Sequence, residues 1–348
     1  MALRAVLDGI NVEAFDYSKG DWVKFKKLYK RHSLKVACCG RDAVPKTSKL
    51  GTQYFAHAKR GDCSTALETS DHIKLKSIVA QVAVSLGWDV VTECSGHTPK
   101  GQKWIADVMC IKGNAKVAIE IQWSEQTLEE FLRRTKKYTE SGIRCAWLFR
   151  LKGNRRYSES DFVDRYDLPY FGFRVEESEY KVCRFGVSVQ QFVRGMLNGK
   201  LVCAPAKKDK ISYRFHYSSE SCWRCDKKVN SISKVTVLTS SGYQVYSIQL
   251  EKSHAAEWLA TNLPEVEIMK YKIGPILSKV CPYTQSYRYF NSCVHCRAEI
   301  GGINVNNYIR DYEDFDVHFF ELPETKFKAQ LKIEPVWLFE GSSGNSLY

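Results

Sequence analysis

No run of about 18 apolar residues, the length a membrane-spanning helix needs, occurs anywhere in the 348-residue chain. A helical membrane protein is therefore not expected. Proline is scarce at nine residues, and no internal repeat or low-complexity tract is present. With 44% hydrophobic residues, that is the composition of a folded chain and not of a disordered one. Acid is also short: 39 Asp and Glu face 52 Lys and Arg, a net charge of +13. Such a surplus fits a polyanionic partner, with nucleic acid ahead of an anionic membrane surface. The first residues, MALRAVLDGINVEAF, interrupt their apolar stretch with Arg4 and Asp8, so they do not read as a signal peptide. A cytoplasmic protein with no membrane partner is the expectation.

Cysteine is not scarce. Thirteen is an odd number, which argues against a fully paired disulfide framework, and clustered thiols in a reducing compartment read as metal ligands. Cys110, Cys145, Cys183 and Cys203 lie singly in apolar surroundings and read as small buried hydrophobes.

Along the chain, Asp8-Gly9 separates two short alternating stretches, a hairpin signal. A short basic helix follows from Asp21 to Tyr29. Residues 35–63 are turn-rich, with two short strands at most. Apolar residues recur at helical spacing from Ser70 to Gly87, and then Trp88 to Glu93 reads as a strand before a loop from Ser95 to Lys103. Two strands fill 104–122. Thr127 and Glu130 form a capping box for a helix ending at Gly142, and Arg144 to Phe149 is a strand. After a charged loop at 151–161, a helix runs from Val189 to Leu197. Ala204 to Lys210 reads as a linker. Beyond it come strands at Lys234 to Leu238 and Tyr243 to Leu250 and a helix from Ala255 to Asn262.

The strand pair at 104–122 carries acids where a core residue belongs. Asp107 and Glu120 each have apolar neighbours on both sides, and Gln122 shares a face with Glu120 because strand side chains alternate. Unpartnered buried carboxylates cost several kcal/mol, on the order of the penalty for any buried ion. A shared divalent cation relieves it, and such a cation cuts phosphodiesters. Solvent-facing edge residues are the plainer alternative. Glu68, His72 and Lys76 are spaced as one helical stripe before these strands. Arg133, Arg134, Lys137 and Tyr138 on the following helix offer phosphate contacts, or simply a solvated basic face.

Two Cys-x-x-Cys pairs, Cys222/Cys225 and Cys293/Cys296, supply the four ligands of a structural zinc site. The segment between them must fold as an insertion. Buried thiol pairs or a redox dithiol are the alternatives. The aromatic segments SYRFHYSS (212–219) and YTQSYRYFNS (283–292) offer surfaces for stacking on single-stranded bases, or sheet core and rim.

Taken in order, FAH (55–57), ETSDHIKLK (68–76), ADV (106–108), AIEIQWS (118–124), RRTKKY (133–138), CAWLF (145–149), LPYFGF (168–173) and QQFVRGMLNGKL (190–201) resemble the CoiA-like nuclease family. The resemblance covers residues 1 to about 203. It implies the PD-(D/E)XK superfamily: an α/β, restriction-endonuclease-like core with a mixed central sheet flanked by helices. The organisation it gives is an N-terminal hairpin and Cys/His module over 1–66, the nuclease core over 67–203, and a C-terminal α+β, zinc-ribbon-like domain over 204–348. By the same resemblance, Asp107 and Glu120 ligate Mg²⁺ or Mn²⁺ with the Ile121 carbonyl as a third ligand. Gln122 stands where most of the superfamily has Lys. His72 or Lys76 takes over part of that role, and Glu68 completes the acidic cluster. Family members often carry Cys-x-x-Cys before the FAH motif. Here the thiols are adjacent, and Cys38, Cys39, His57 and Cys63 make a second candidate zinc site. The implied activity is Mg²⁺-dependent hydrolysis of double- or single-stranded DNA, in DNA uptake and recombination or in defence against foreign DNA. A protein partner or a homo-oligomer is a further expectation. The alternative is a catalytically weak DNA-binding accessory protein that keeps the nuclease fold.

Overall fold

Asp8 and Gly9 both take left-handed backbone, φ 49° and 85°, the conformation a two-residue turn between twisted strands requires. They join β1 (Arg4–Leu7) to β2 (Ile10–Glu13), and β3 (Leu34–Val36) pairs with the other edge of β1. The computed structural model describes residues 1–348 apart from 64–67, 153–164, 178, 207, 251–252, 284, 301–316, 329–330, 332 and 341–348, with the backbone alone for 253–255. Most of the charged loop expected at 151–161 lies outside the described residues. The chain divides into two compact units, Met1–Val202 with Phe339–Asn345, and Cys203–Leu338 with Ser346–Tyr348. The N-terminal hairpin and the central α/β block belong to the same unit.

In the first unit, α1 (Lys19–Leu28) starts two residues earlier than expected because Ser18 caps it, accepting from the Asp21 N–H. It buries Trp22 among Tyr17, Phe25 and Phe55. Strands β4 (Ala43–Thr47) and β5 (Gln53–His57) form a separate hairpin. The long helix α2 (Ser70–Ser85) is capped by Thr69. It buries Ile73, Leu75, Val79 and Val82, and it packs on β6 (Asp89–His97), β7 (Lys103–Lys112) and β8 (Ala115–Gln122). After α3 (Leu128–Glu140) come β9 (Arg144–Arg150), β10 (Tyr170–Glu176), β11 (Glu179–Val182), β12 (Val187–Ser188) and α4 (Val189–Leu197). These strands make one mixed seven-stranded sheet in the order β12-β11-β10-β9-β8-β7-β6. Its centre, β8-β9-β10, is parallel and its flanks are antiparallel.

Two local expectations change. The loop placed at Ser95–Lys103 begins later, because β6 continues to His97 and pairs Ser95 with Ile105 and Gly96 with Trp104. Gly96 makes this possible: a Cβ there would sit 2.2 Å from the Trp104 ring, so only glycine lets the indole lie across the strand. The capping box at Thr127 is half made. Thr127 accepts from the Glu130 N–H, but the Glu130 carboxylate turns to Arg133.

The second unit follows β13 (Leu201–Ala204). Strands β14 (Ile211–Ser221), β15 (Lys228–Thr239) and β16 (Gln244–Gln249) precede α5 (Ser253–Asn262) and α6 (Glu265–Met269). Then come β17 (Ile276–Val280), β18 (Tyr287–Ser292), β19 (Glu299–Ile300), β20 (His318–Pro323) and β21 (Val336–Phe339). They form an antiparallel sheet β16-β15-β14-β20 and a smaller one, β17-β18-β19. Strand β15 starts six residues earlier than expected. A six-residue loop, 222–227, precedes it, and Ser221 pairs with Lys228 across that loop. Tyr213 and Phe215 of the SYRFHYSS segment are buried, so they are sheet core. Tyr283 and Tyr287 are exposed. Among the described residues no helix is long and apolar enough to cross a membrane.

Candidate active site and metal-binding clusters

Three acids occupy one row across the sheet. Strands β6 and β7 pair Thr92 with Val108 and Cys94 with Ala106, which sets Glu93 opposite Asp107. Strands β7 and β8 pair Val108 with Ile119, so the next rung sets Asp107 opposite Glu120. Neighbouring strands lie about 4.8 Å apart, and like charges facing each other across them are destabilising. The ladder yields at this row. Glu93 takes left-handed backbone, φ 48°, a strained conformation for a residue with a Cβ. The Ile121 N–H donates to Asp107 Oδ2 at 2.9 Å, and Tyr138 Oη donates to the Ile105 carbonyl at 2.9 Å.

Two cations balance the row. The Lys76 side chain is fully buried, with Nζ 2.5 Å from Glu93 Oε1, 2.9 Å from Glu68 Oε1 and 3.6 Å from Asp107 Oδ1. Burial alone would push the Lys76 pKa down, but Glu93, Glu68 and Asp107 more than reverse this and hold it well above the usual range. Arg134 Nη2 lies 2.7 Å from Glu120 Oε2, and its guanidinium stacks over the Trp147 ring at 4.5 Å. The buried Tyr138 hydroxyl also hydrogen-bonds Glu120.

The same surroundings drive the carboxyl groups apart. Burial works to raise Asp107, yet Lys76, the His72 ring and the Ile121 N–H outweigh it and hold Asp107 well below the usual range. Glu120 goes the other way: burial, reinforced by the Asp107 charge and carboxyl contact, pushes it up to about 8 against the pull of Arg134 and Tyr138. Glu68 is raised by burial, with Lys76 and His72 opposing. Asp107 is therefore held ionised at neutral pH, while Glu120 is pushed toward its protonated form.

Glu68, His72 and Asp107 offer ligand atoms that all lie within 4.8 Å of one another. Glu68 Oε2 and His72 Nε2 are buried without a hydrogen-bond partner, and His72 Nε2 stands 3.6 Å from Asp107 Oδ2. Buried polar atoms without partners are rare and costly. Two of them in a cluster of Glu68, His72 and Asp107 suit a divalent cation held by oxygen and imidazole.

The sequence-derived site residues are thus distributed unevenly. Glu68, His72, Lys76, Asp107 and Glu120 are brought together. Glu68 is not on the helical stripe expected for it: it precedes the Thr69 cap, and its side chain folds back to Lys76. Ile121 meets Asp107 through its N–H. Gln122 accepts from Arg134 and donates to the Ser124 carbonyl. Of the expected phosphate contacts, Tyr138 is a core residue and Arg134 points at Glu120. Lys137 Nζ donates to the Lys103 carbonyl. Arg133 is exposed and paired with Glu130.

Glu93 was not singled out from the sequence. Its carboxylate accepts the N–H groups of Leu3 and Arg4 as well as binding Lys76, so it ties the N-terminal hairpin to the acid row. The sequence offered only an acid at the end of an apolar stretch, with no mark of its register against Asp107.

Two thiol clusters complete the inventory. In the second unit Cys222, Cys225, Cys293 and Cys296 offer sulfurs within 4.8 Å of one another, with Cys222–Cys296 at 3.6 Å and Cys225–Cys293 at 3.7 Å. Each pair sits in the same turn. The Asp226 N–H donates to the Cys222 carbonyl and the Cys222 N–H to the Lys227 carbonyl. Arg297, Cys293 and Ala298 repeat this, and Asp226 and Arg297 both have positive φ. Burial would raise the Cys222 thiol, but the Cys225 and Arg224 amides and the neighbouring thiols bring it down to about 7. In the first unit Cys38, Cys39, His57 and Cys63 also converge, with Cys39 Sγ 3.3 Å from His57 Nε2 and Cys38 Sγ 3.8 Å from Cys63 Sγ. Their turn follows the same pattern: Gly40 N–H to the Val36 carbonyl, Val36 N–H to the Arg41 carbonyl, and positive φ at Gly40. Val36 occupies the place of a first cysteine and Cys38 supplies the sulfur. Both donor sets fit a structural metal such as zinc. Of the cysteines read as buried, Cys110, Cys145 and Cys203 are buried, while Cys183 is half-buried in the turn after β11.

The balance of charge makes two predictions. Lys76→Met leaves Glu68, Glu93 and Asp107 facing one another without their cation and is expected to cost about 3–5 kcal/mol, read as a lower urea midpoint. The second concerns pH. Glu120 keeps its proton to about 8 when folded but loses it near 4.5 when unfolded. Between those values the folded chain binds more protons, so its stability falls as pH rises from about 4.5 to about 8. Glu120→Gln is expected to flatten that slope in metal-free thermal unfolding.

Residues 68–172 match the family described as "Competence protein CoiA, nuclease-like domain". No curated protein matches the chain. A solved structure, "Crystal Structure of Protein of Unknown Function AF1548", is similar at 12% identity and a TM-score of 0.21, over 29% of this chain. The chain spans 57% of that protein's length. On the family match, the chain carries a CoiA nuclease-like domain over residues 68–172.

Proposed function

We propose that the protein is a divalent-cation-dependent nuclease that hydrolyses phosphodiester bonds in DNA. The observation that carries this reading is the cluster of Glu68, His72 and Asp107, whose ligand atoms lie within 4.8 Å of one another inside the nuclease-like domain, with Glu68 Oε2 and His72 Nε2 buried without a hydrogen bond. Glu68, His72 and Asp107 would hold Mg²⁺ or Mn²⁺, with Glu120 beside them. A bound cation supplies Lewis acidity toward a phosphoryl oxygen and makes water a stronger nucleophile at neutral pH. Lys76 is protonated and locked among three acids, so it acts as a fixed positive charge that keeps Asp107 ionised and oriented. Glu120, raised in the metal-free protein, would offer a second carboxylate beside a cation held by Glu68, His72 and Asp107. Zinc in the two thiol clusters would be structural. The setting we favour is cytoplasmic processing of DNA during uptake and recombination, with defence against foreign DNA as the other role. The second unit would dock DNA or a protein partner.

One observation favours the second reading, a DNA-binding accessory protein without turnover. Gln122 is not a base, and Lys76 has no lone pair to offer while it is protonated. Circular and linear DNA incubated with Mg²⁺ or Mn²⁺, wild type beside Asp107→Ala and Glu120→Ala, separates the two. Cleavage lost in both variants supports the nuclease. Binding without cleavage, untouched by either substitution, supports the accessory protein.

A further inference from the structure

A hollow of about 500 Å³ opens beside the acid row in the first unit. Glu68, Glu93, Arg4, Arg60 and Lys103 line it, together with Cys38 and His57 of the N-terminal thiol cluster. Val6, Cys94 and Ile105 give it apolar surface. Glu68 and Glu93 are the carboxylates that grip Lys76, so the hollow adjoins the candidate cation position.

Its size decides what enters. About 500 Å³ is the volume of a small-molecule site. A duplex, whose major groove alone is about 12 Å wide, does not fit into it. Its charges decide the chemistry: Arg60 and Lys103 suit phosphates, Arg4 being paired with Glu13 at 2.8 Å, and the apolar residues of the same lining suit the face of a base. We infer that this hollow takes an unpaired nucleotide of the substrate strand, so that the ligand class is single-stranded nucleic acid. The inference rests on the nuclease reading for its link to catalysis, while the binding itself does not need turnover.

The two carboxylates in the lining add a condition. A phosphate held beside Glu68 and Glu93 is repelled until a divalent cation screens them, so single-strand affinity rises with that cation. Phosphate contact by Arg and Lys also releases counterions, with a salt slope of about −0.7 per phosphate for single strands.

The test measures fluorescence anisotropy of a labelled single-stranded oligonucleotide and its blunt duplex on the full chain, with Ca²⁺ replacing Mg²⁺ to hold back cleavage. The single strand is expected to bind about tenfold tighter, a difference of about 1.4 kcal/mol. Arg60→Glu with Lys103→Glu removes most of that preference and flattens the single-strand salt slope, leaving duplex affinity in place. Equal affinity for the two forms overturns the proposal, as does a double variant, folded by circular dichroism, that still binds single strands normally. Photo-crosslinking of a 4-thiothymidine oligonucleotide to wild type gives a check that needs no variant. Adducts on the peptides holding Val6 and Ile105 support the hollow, and their absence there overturns it. Cleavage that depends on Asp107 without single-strand preference sinks this inference and leaves the nuclease reading standing. Single-strand preference without Asp107-dependent cleavage does the reverse.

Discussion

Asp107→Ala is expected to reduce Mg²⁺- or Mn²⁺-dependent cleavage of DNA by roughly 10³-fold or more, the scale on which losing a central electrostatic group slows catalysis. Asp107 stands at the centre of these contacts: His72 at 3.6 Å, Lys76 at 3.6 Å, the Ile121 N–H at 2.9 Å and Glu120 through its carboxyl contact. It is also the group that Lys76 and His72 hold ionised. The fold should survive its removal. Lys76 still pairs with Glu68 and Glu93, and Glu120 loses a repelling neighbour. Lys76→Met has the opposite balance, because it strands three acids, and its effect should appear in stability. The two variants therefore separate chemistry from charge balance. Cleavage is followed on circular DNA and unfolding by calorimetry. An Asp107→Ala protein that cuts at the wild-type rate removes the catalytic assignment.

Periodicity made the order of the central block legible: one helix, three strands, a helix and a strand, ending in the mixed sheet. Asp107 and Glu120 could be picked out because an acid inside an apolar strand breaks the alternation. Glu93 gave no such break, since it falls at the end of its stretch, and its importance comes from a sheet register that no single strand reveals. Glu68 was picked out by helical spacing although it lies before the helix, so the spacing argument for it does not hold. Tyr138 and Arg134 read as surface groups because they sit in a run of charges. The residues that draw them inward, Glu120 and Trp147, lie on other strands. Partner choice across strands is non-local, and that is the information a linear pattern lacks.

Metal analysis of the purified chain is expected to find zinc bound by the Cys222/Cys225/Cys293/Cys296 cluster, and Cys293→Ser is expected to remove it and unfold the second unit. The cluster joins the tip of the β14–β15 hairpin to the turn between β18 and β19, parts of the chain separated by two helices and several strands. Among the described residues, Val229, Ala298 and Ile300 pack as buried residues with Cys222 and Cys293 there, a small apolar contribution. Four thiols drawn to within 4.8 Å would repel as thiolates without a cation between them. In isolated zinc-finger peptides the metal contributes roughly 10–16 kcal/mol, comparable to the whole stability of a domain. Chelation should therefore melt the second unit at temperatures where the first stays folded, seen as protease cuts confined to 203–338. Cys63→Ala, which touches only the N-terminal cluster, serves as the control: any loss of zinc there should leave the second unit resistant. A Cys293→Ser protein with unchanged metal content and unchanged protease resistance would show that the sulfurs converge for some other reason.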